Sequence, residues 1–383
     1  MIKHRAAASI LLLLLTACSK RASVVSTHAA PSTPPAPSHV TASTSRPAPV
    51  GDLYAGDRPG MLAPQARLAV PLVYVPDDRN ARVTVIDPRT YRVVRTFAVG
   101  RLPQHVTPAW DLRTLWVDND MGNSLTPIDP RTGKPGKAVT VADPYNLYFT
   151  VDGRSAVVVA ERLRRLDFRD PRTMALQQTL HVPCAGVDHA DFSRDGTHAL
   201  FSCEFSGQLL WVDMVHRKVD QVIDLPRETN RRPKPQDVKV SPDGRTFYIA
   251  DENSNGIYAV DAATRKVRSF LTTGLGAHGL YVSRDSRDLY ITNRLSGSVA
   301  VLSFATGRLR ATWPIPGGSP DMGGVSADGK VLWLSGRYSG EVYALDTRTG
   351  RLLARIKVGG EPHGLCVWPQ PGSYSLGHTG VLR

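Results

Sequence analysis

From about residue 72 onward the chain is built of short runs in which apolar and polar residues alternate, each cut off by Asp, Gly, Asn or Pro, with no helical period between them. The runs recur in a fixed register. The Asp that closes phrases such as VTVIDPRT and IYAVDAATRK returns at Asp87, Asp129, Asp170, Asp213, Asp261 and Asp346, with Ser303 in the remaining turn, at intervals of 42, 41, 43, 48, 42 and 43 residues. Thirteen residues before each stands an apolar or aromatic residue: Tyr74, Trp116, Val157, Leu200, Tyr248, Tyr290 and Trp333. Five residues before six of these lies an Asp, mostly followed by Gly: Asp111, Asp152, Asp195, Asp243, Asp285 and Asp328. Asp-Gly between alternating runs marks a tight hairpin, because Gly takes positive φ without strain.

Each unit therefore holds four short strands, such as 238–241, 246–250, 256–261 and 267–271. Four-stranded units spaced by about 40 residues predict the blades of an all-β propeller, and the register counts seven. The chain enters part-way through a blade, at 72–75, and finishes on a lone strand at 364–368. That last strand is expected innermost in the blade whose outer three strands come from the N-terminal side, which closes the ring and removes its edges.

The first residues read differently. Residues 1–17 carry a basic start (Lys3, His4, Arg5) and an apolar run over 10–15, too short to span a bilayer, and read as a secretory signal. The run Leu15-Thr16-Ala17-Cys18 resembles the lipobox of bacterial lipoproteins, which implies that Cys18 is acylated and becomes the N-terminus. Residues 18–50 are rich in Pro, Ser, Thr and Ala, bury nothing, and are expected to act as a tether. The expected organisation is thus signal 1–17, lipidated tether 18–50, propeller 51–369 and C-terminal tail 370–383, lipid-anchored outside the cytoplasm on the cell membrane or outer membrane.

Composition narrows the class further. Hydrophobic residues at 42%, 32 Gly, 29 Pro and only 21% charged residues exclude a coiled coil, a collagen and an acidic disordered chain. Lys and Arg number 47 against 34 Asp and Glu, a formal +13, which suits an acidic partner, anionic lipid or nucleic acid. No CxxCH excludes covalent haem by motif, and there is no G-x-S-x-G elbow, Walker loop or H-E-x-x-H.

Phrases such as VSPDGRTFYIADENSNGIYAVDAATRKV and LYITNRLSGSVAVLSFATGRL resemble the YVTN-repeat β-propellers, in the superfamily named after the quinoprotein amine dehydrogenase β chain. The resemblance covers about residues 70–369 and implies the seven-bladed fold. It does not select a chemistry: such relatives include binding modules, one kind that binds single-stranded DNA, lactone hydrolases, the streptogramin lyase and the copper-bearing propeller of nitrous oxide reductase. The tail SYSLGHTG (373–380) also resembles an ending seen in bacterial members, and its residues suggest no role.

Candidate chemistry lies on the face that gathers the loops entering each innermost strand and leaving each second strand. The innermost strands open on paired polar residues: Gln104-His105, Tyr145-Asn146, Asp188-His189, Gln236-Asp237, His278-Gly279, Asp321-Met322 and His363-Gly364. A second ring, four residues after each aromatic marker, reads Asp78, Asp120, Glu161, Glu204, Glu252, Arg294 and Arg337. Imidazoles and carboxylates converging on a channel suit a divalent metal, with His189, Glu204, His278 and His363 as candidate ligands, and the two arginines suit a bidentate clamp on an anion. A copper cluster of the nitrous oxide reductase kind needs a nearly full ring of histidines, and four are expected here: His105, His189, His278 and His363. The insertion PRETNRRPKP (226–235), with Arg231 and Arg232, enters the same face as a candidate lid. Cys184 and Cys203 are expected close together at this rim, as a disulfide in an oxidising compartment, and Cys366 as a buried small hydrophobe.

These features support a monomeric, membrane-anchored extracytoplasmic module that binds an envelope protein or an anionic ligand through its channel face. One alternative is a metal-assisted hydrolase or lyase, lactonase-like or streptogramin-lyase-like, with Glu204, Glu252 and His278 as catalytic groups. A further alternative is binding of single-stranded DNA, for which Phe205 and Tyr338 are the stacking candidates.

Overall fold

The computed structural model describes residues 51–383, so the signal, the Cys18 site and the tether lie outside the described residues. Seven antiparallel sheets follow one another around a central channel, and the only helical segments among the described residues are two single 3-10 turns, Ala55–Asp57 and Ala66–Leu68. In chain order the innermost strands of blades 2 to 7 are Pro103–Pro108, Asn146–Phe149, Val187–Phe192, Pro235–Val240, Ala277–Val282 and Pro320–Val325. Blade 1 is closed by Cys366–Trp368, which pairs with Leu72–Asp77 through Leu72↔Trp368, Val73↔Val367 and Tyr74↔Cys366. This is the closure expected from the sequence, with a last strand of three residues rather than five.

The second strands are buried over most of their length, because each is covered by blades on both sides; the outermost strands largely alternate exposed and half-buried residues. The hairpins between first and second strands turn at the repeated Asp, with glycines at φ +67, +69, +69 and +75 at Gly153, Gly196, Gly244 and Gly329. The blades pack in pairs. Leu200, Leu209 and Trp211 of blade 4, for example, meet Val238, Phe247, Ile249 and Tyr258 of blade 5 in one apolar layer.

An innermost strand has a free edge, and the blades satisfy it with each other's side chains. The Tyr148 hydroxyl accepts from the Ala190 N–H at 2.7 Å, Asp191 from Val240 at 3.0 Å, Asp237 from Leu280 at 2.9 Å and the Tyr281 hydroxyl from Gly323 at 2.6 Å. Each bond joins one inner strand to the next blade, so the channel wall is stitched circumferentially.

Two blades depart from four strands: in blade 2 the outermost strand is split into Lys134–Pro135 and Val139–Thr140, and blade 3 gains strands from the tail. The tail returns into the channel, and Ser375–Gly377 and Val381–Leu382 add to the inner edge of blade 3 through Gly377↔Tyr148, giving a six-stranded sheet. Leu376 and Val381 join the apolar layer between blades 3 and 4, and Arg383 reaches Asp191 at 2.7 Å with both side chains buried.

Candidate metal centre

The paired polar residues at the mouths of the inner strands are β-bulges. In five blades the ladder between first and second strands shifts register across two residues: Pro103/Val106, Val187/Ala190, Pro235/Val238, Ala277/Leu280 and Pro320/Gly323. The intervening residues are the pairs picked out by sequence, and a bulge is the device that turns a side chain away from the sheet and into the channel. Hydroxyls on the second strand hold three of the bulges, with the N–H of His189, Gly279 and Met322 donating to Ser202, Thr292 and Ser335 at 3.0, 2.7 and 3.2 Å.

Three bulges, the turn before the closing strand and the tail together form a closed belt of imidazoles. His105, His189, His278 and His363 come from four blades, and the fifth, His378, is carried in by the tail; all five are buried. Ring centroids around the belt are 5.1 Å (His363–His105), 5.2 Å (His105–His378), 4.7 Å (His378–His189), 6.0 Å (His189–His278) and 6.1 Å (His278–His363). His378 adopts a left-handed backbone, φ +42, between Gly377 and Gly380 at φ +101 and +106, an unusual conformation for a side-chain-bearing residue.

Within the belt one nitrogen each of His105, His189 and His378 lie within 4.8 Å of one another. His105 is pre-set for ligation: its Nδ1 is 2.9 Å from the Tyr145 carbonyl, to which it donates, leaving Nε2 as a buried lone pair with no partner among the described residues. His378 Nδ1 sits 3.4 Å from the Asn146 amide oxygen and 3.2 Å from its nitrogen, and its Nε2 lies 3.5 Å from Asp237 Oδ1, out of line for a hydrogen bond. His189 Nδ1 lies 2.8 Å from Asp188, off the line of a hydrogen bond, so that both ring nitrogens and both carboxylate oxygens count as unpartnered. Burial pushes the imidazoles of His105 and His363 well below their usual range, and that of His378 down to about 4, so the rings are neutral ligands at neutral pH. Burial acts on His189 in the same sense but is outweighed by Asp188, and its imidazole is raised.

Next to this triad stands a second donor set, His278, Asp321 and His363. Asp321 Oδ1 is 3.2 Å from His278 Nδ1, and Oδ2 is 3.5 Å from His363 Nε2. Arg294 and Arg337 flank Asp321 at 3.2 and 3.9 Å.

The second predicted ring is largely spent on ion pairs between neighbouring blades. Arg337 binds Asp78 at 2.7 Å, Arg294 approaches Glu252 at 3.7 Å, and Arg162 joins Asp120 to Asp143 at 3.2 and 2.7 Å. Lys234, delivered by the 226–235 insertion, bridges Glu204 and Glu252 at 3.0 Å each. Glu161 is the member left over: burial, then the charges of Asp188 and Glu204, push its carboxyl up to about 9. Burial likewise pushes Asp188 up to about 6 and Asp78 up to about 8. Carboxyl groups raised by burial and by one another's charge describe a site short of positive charge. The arginines are already neutralised, which weakens the anion clamp. Arg231 and Arg232 point into solvent on the insertion, and Cys184 and Cys203 are joined by a disulfide beside Glu204.

A family model described as YNCE-like beta-propeller matches residues 50–371. The chain belongs to that family. Among solved structures this propeller is similar to hydrazine synthase of Kuenenia stuttgartiensis (21% identity, 70% of this chain and 90% of that one, TM-score 0.59). It is also similar to a putative 6-phosphogluconolactonase of Bacteroides uniformis (18%, 77% and 98%, 0.62) and to a dihydro-heme d1 dehydrogenase solved with its ligand (17%, 80% and 76%, 0.58). At these identities the likeness is one of fold, and the three proteins are named for three different roles. No curated protein matches.

The sequence reading placed four histidines in the channel; the structure has five. His378 was missed because the tail has no periodicity and its neighbour in space, Asn146, lies 232 residues away. The signals available were a His set among glycines in the tail, and the hydroxyls Ser202, Thr292 and Ser335 two residues beyond the repeat marker.

Proposed function

We propose that the protein is an extracytoplasmic binding module, lipid-anchored through Cys18, whose ligand is a transition-metal ion held in the propeller channel by His105, His189 and His378. The observation that carries the reading is the triad itself: three buried imidazoles from three separate segments, with nitrogens mutually within 4.8 Å and at least one nitrogen on each ring without a hydrogen-bond partner. Leaving buried polar atoms unpaired costs about 1–3 kcal/mol each, a cost that a metal ion removes. Three imidazoles without thiolate, of which His105 and His378 are already neutral and His189 would give up its proton to the ion, suit Zn(II), Cu(II) or Ni(II) and leave coordination positions for water or a further ligand. The tyrosyl carbonyl under His105 and the amide beside His378 are the outer partners that orient such ligands.

The test uses the full-length chain, purified in detergent without a His-tag, stripped with chelator, reloaded with Zn(II) and dialysed. Mass-spectrometric metal analysis should find zinc bound, with the His105→Ala, His189→Ala and His378→Ala variants each losing the triad's ion. A folded wild-type protein that retains no Zn(II), Cu(II) or Co(II) would overturn the reading.

A further inference from the structure

The belt is larger than one ion needs. The triad uses three of its five imidazoles, and the remaining two, with Asp321, form a second set of donors within 4.8 Å of one another. We propose that a second transition-metal ion binds between His278, Asp321 and His363, so that the channel holds a pair of adjacent ions; the inference rests on the single-ion reading above and extends it.

Three observations carry it. The first is unpartnered polarity: His278 Nδ1, His363 Nδ1 and both oxygens of Asp321 are buried without a hydrogen-bond partner, although the carboxylate oxygens lie 3.2 and 3.5 Å from the two rings. Close approach without hydrogen-bond alignment is the state of groups whose lone pairs face a common point. The second is continuity. His363 is 5.1 Å from His105 and His278 is 6.0 Å from His189, centroid to centroid, so the second set shares a wall with the triad rather than forming a remote site.

The third is charge. Two guanidiniums stand near Asp321: Arg337 is matched by Asp78 at 2.7 Å and lies 3.9 Å from Asp321, whereas Arg294 is nearer to Asp321, at 3.2 Å, than to Glu252, at 3.7 Å, and shares that carboxylate with a bound ion. Lys234 is shared by two carboxylates, and Glu161, Asp188 and Asp237 face the channel with no Lys or Arg ion pair among the described residues. Glu204, Glu252 and Asp78 match Lys234, Arg294 and Arg337 one for one, which leaves the carboxyl groups of Asp321, Glu161, Asp188 and Asp237 to meet bound cations, with any proton they hold released on binding. Arg294 and Arg337 then act as positioning residues that hold Asp321 between the two imidazoles. Two neighbouring ions also present a bridging position for hydroxide or a small oxyanion.

The experiment counts ions in the full-length, untagged, metal-stripped protein titrated with Cu(II). Analysis after removal of free metal should give two equivalents in the wild type, one in His278→Ala and His363→Ala, and one in His378→Ala. The exposed group His198, Asp213 and Asp220 also has ligand spacing. The His198→Ala variant should therefore keep both equivalents, and a second equivalent lost with His198 overturns the proposal. One equivalent in the wild type, lost in His378→Ala, overturns the second ion and leaves the single-ion reading standing; no bound copper overturns both. A measurement on the wild type needs no variant to fold: adjacent Cu(II) ions couple, so the doubly loaded protein should show dipolar splitting with a half-field electron paramagnetic resonance transition, or loss of signal where a bridge forms, in place of the spectrum of isolated Cu(II). Two full, independent spins would overturn adjacency.

Discussion

Two buried residues show how this channel trades stability for chemistry. Glu161 keeps a carboxyl raised to about 9, against an ordinary value near 4.5, by burial and by the neighbouring charges of Asp188 and Glu204. Between those two values the folded metal-free protein binds more protons than the unfolded chain, so its stability falls as pH rises through the window. Replacing Glu161 with Gln removes that slope. The thermal midpoint of the metal-free protein should rise at pH 8 and stay unchanged near pH 4, with ~1 kcal/mol moving it by roughly 2–4 °C. A calorimetric pH series that shows the same shift at both ends would refute this account. Arg383 is the opposite case, a charge that is paired: it binds Asp191 at 2.7 Å and stacks over Tyr54 at 4.6 Å. Arg383→Ala strands a buried carboxylate and should cost about 3–5 kcal/mol in urea unfolding. Adding Asp191→Asn should recover part of the loss, whereas an additive double mutant would show that the pair is not coupled.

The elements that carry these residues differ in how plainly the sequence announces them. The blades are legible because one pattern is written seven times, and a register that survives seven repeats outweighs any local ambiguity. The bulges are half legible. Paired polar residues at 104–105, 188–189, 236–237, 278–279 and 321–322 mark the place, but only the register shifts show that they turn toward one axis. The tail is illegible for a physical reason: its strands span Ser375–Gly377 and Val381–Leu382, too short for a period, and are stabilised by a blade edge far away in sequence. The disulfide at the rim acts at this same scale, tying the entry of one inner strand to the end of its neighbour across 19 residues. The double variant Cys184→Ser, Cys203→Ser should lose roughly 2–4 kcal/mol, the usual worth of a loop of that length, while its zinc content after reloading stays that of the wild type. Loss of metal along with stability would mean that the rim, and not the bulges, positions the imidazoles.

For the molecule as a whole, a buried centre in a closed ring raises the question of how an ion reaches it. The end of the channel opposite the mouth is sealed by the tail and by residues 51–69: Tyr54 donates to the Val240 carbonyl at 2.7 Å, and a small cavity among Asp57, Lys239, Arg284 and Gln370 is capped by Thr379 to Leu382. That seal is made of backbone pairing, apolar contact and the Arg383–Asp191 pair, and opening it means undocking a strand. The mouth is closed differently, by side-chain ion pairs across neighbouring blades, of which Lys234 between Glu204 and Glu252 is half-buried and Arg337–Asp78 is short. Partly hydrated ion pairs are individually weak and rearrange far faster than strands undock. If the channel binds a metal as proposed, exchange is expected through the mouth, with the 226–235 insertion, which carries Lys234, as the gate. Lys234→Ala should therefore speed both Zn(II) uptake and its removal by EDTA several-fold while leaving the equilibrium stoichiometry intact, because it removes a bar and no ligand. High salt should speed the wild type in the same direction by screening the pairs. Stopped-flow exchange measured on both variants decides the route: if Arg383→Ala, and not Lys234→Ala, accelerates exchange, the ion enters past the tail and the mouth is only a rim.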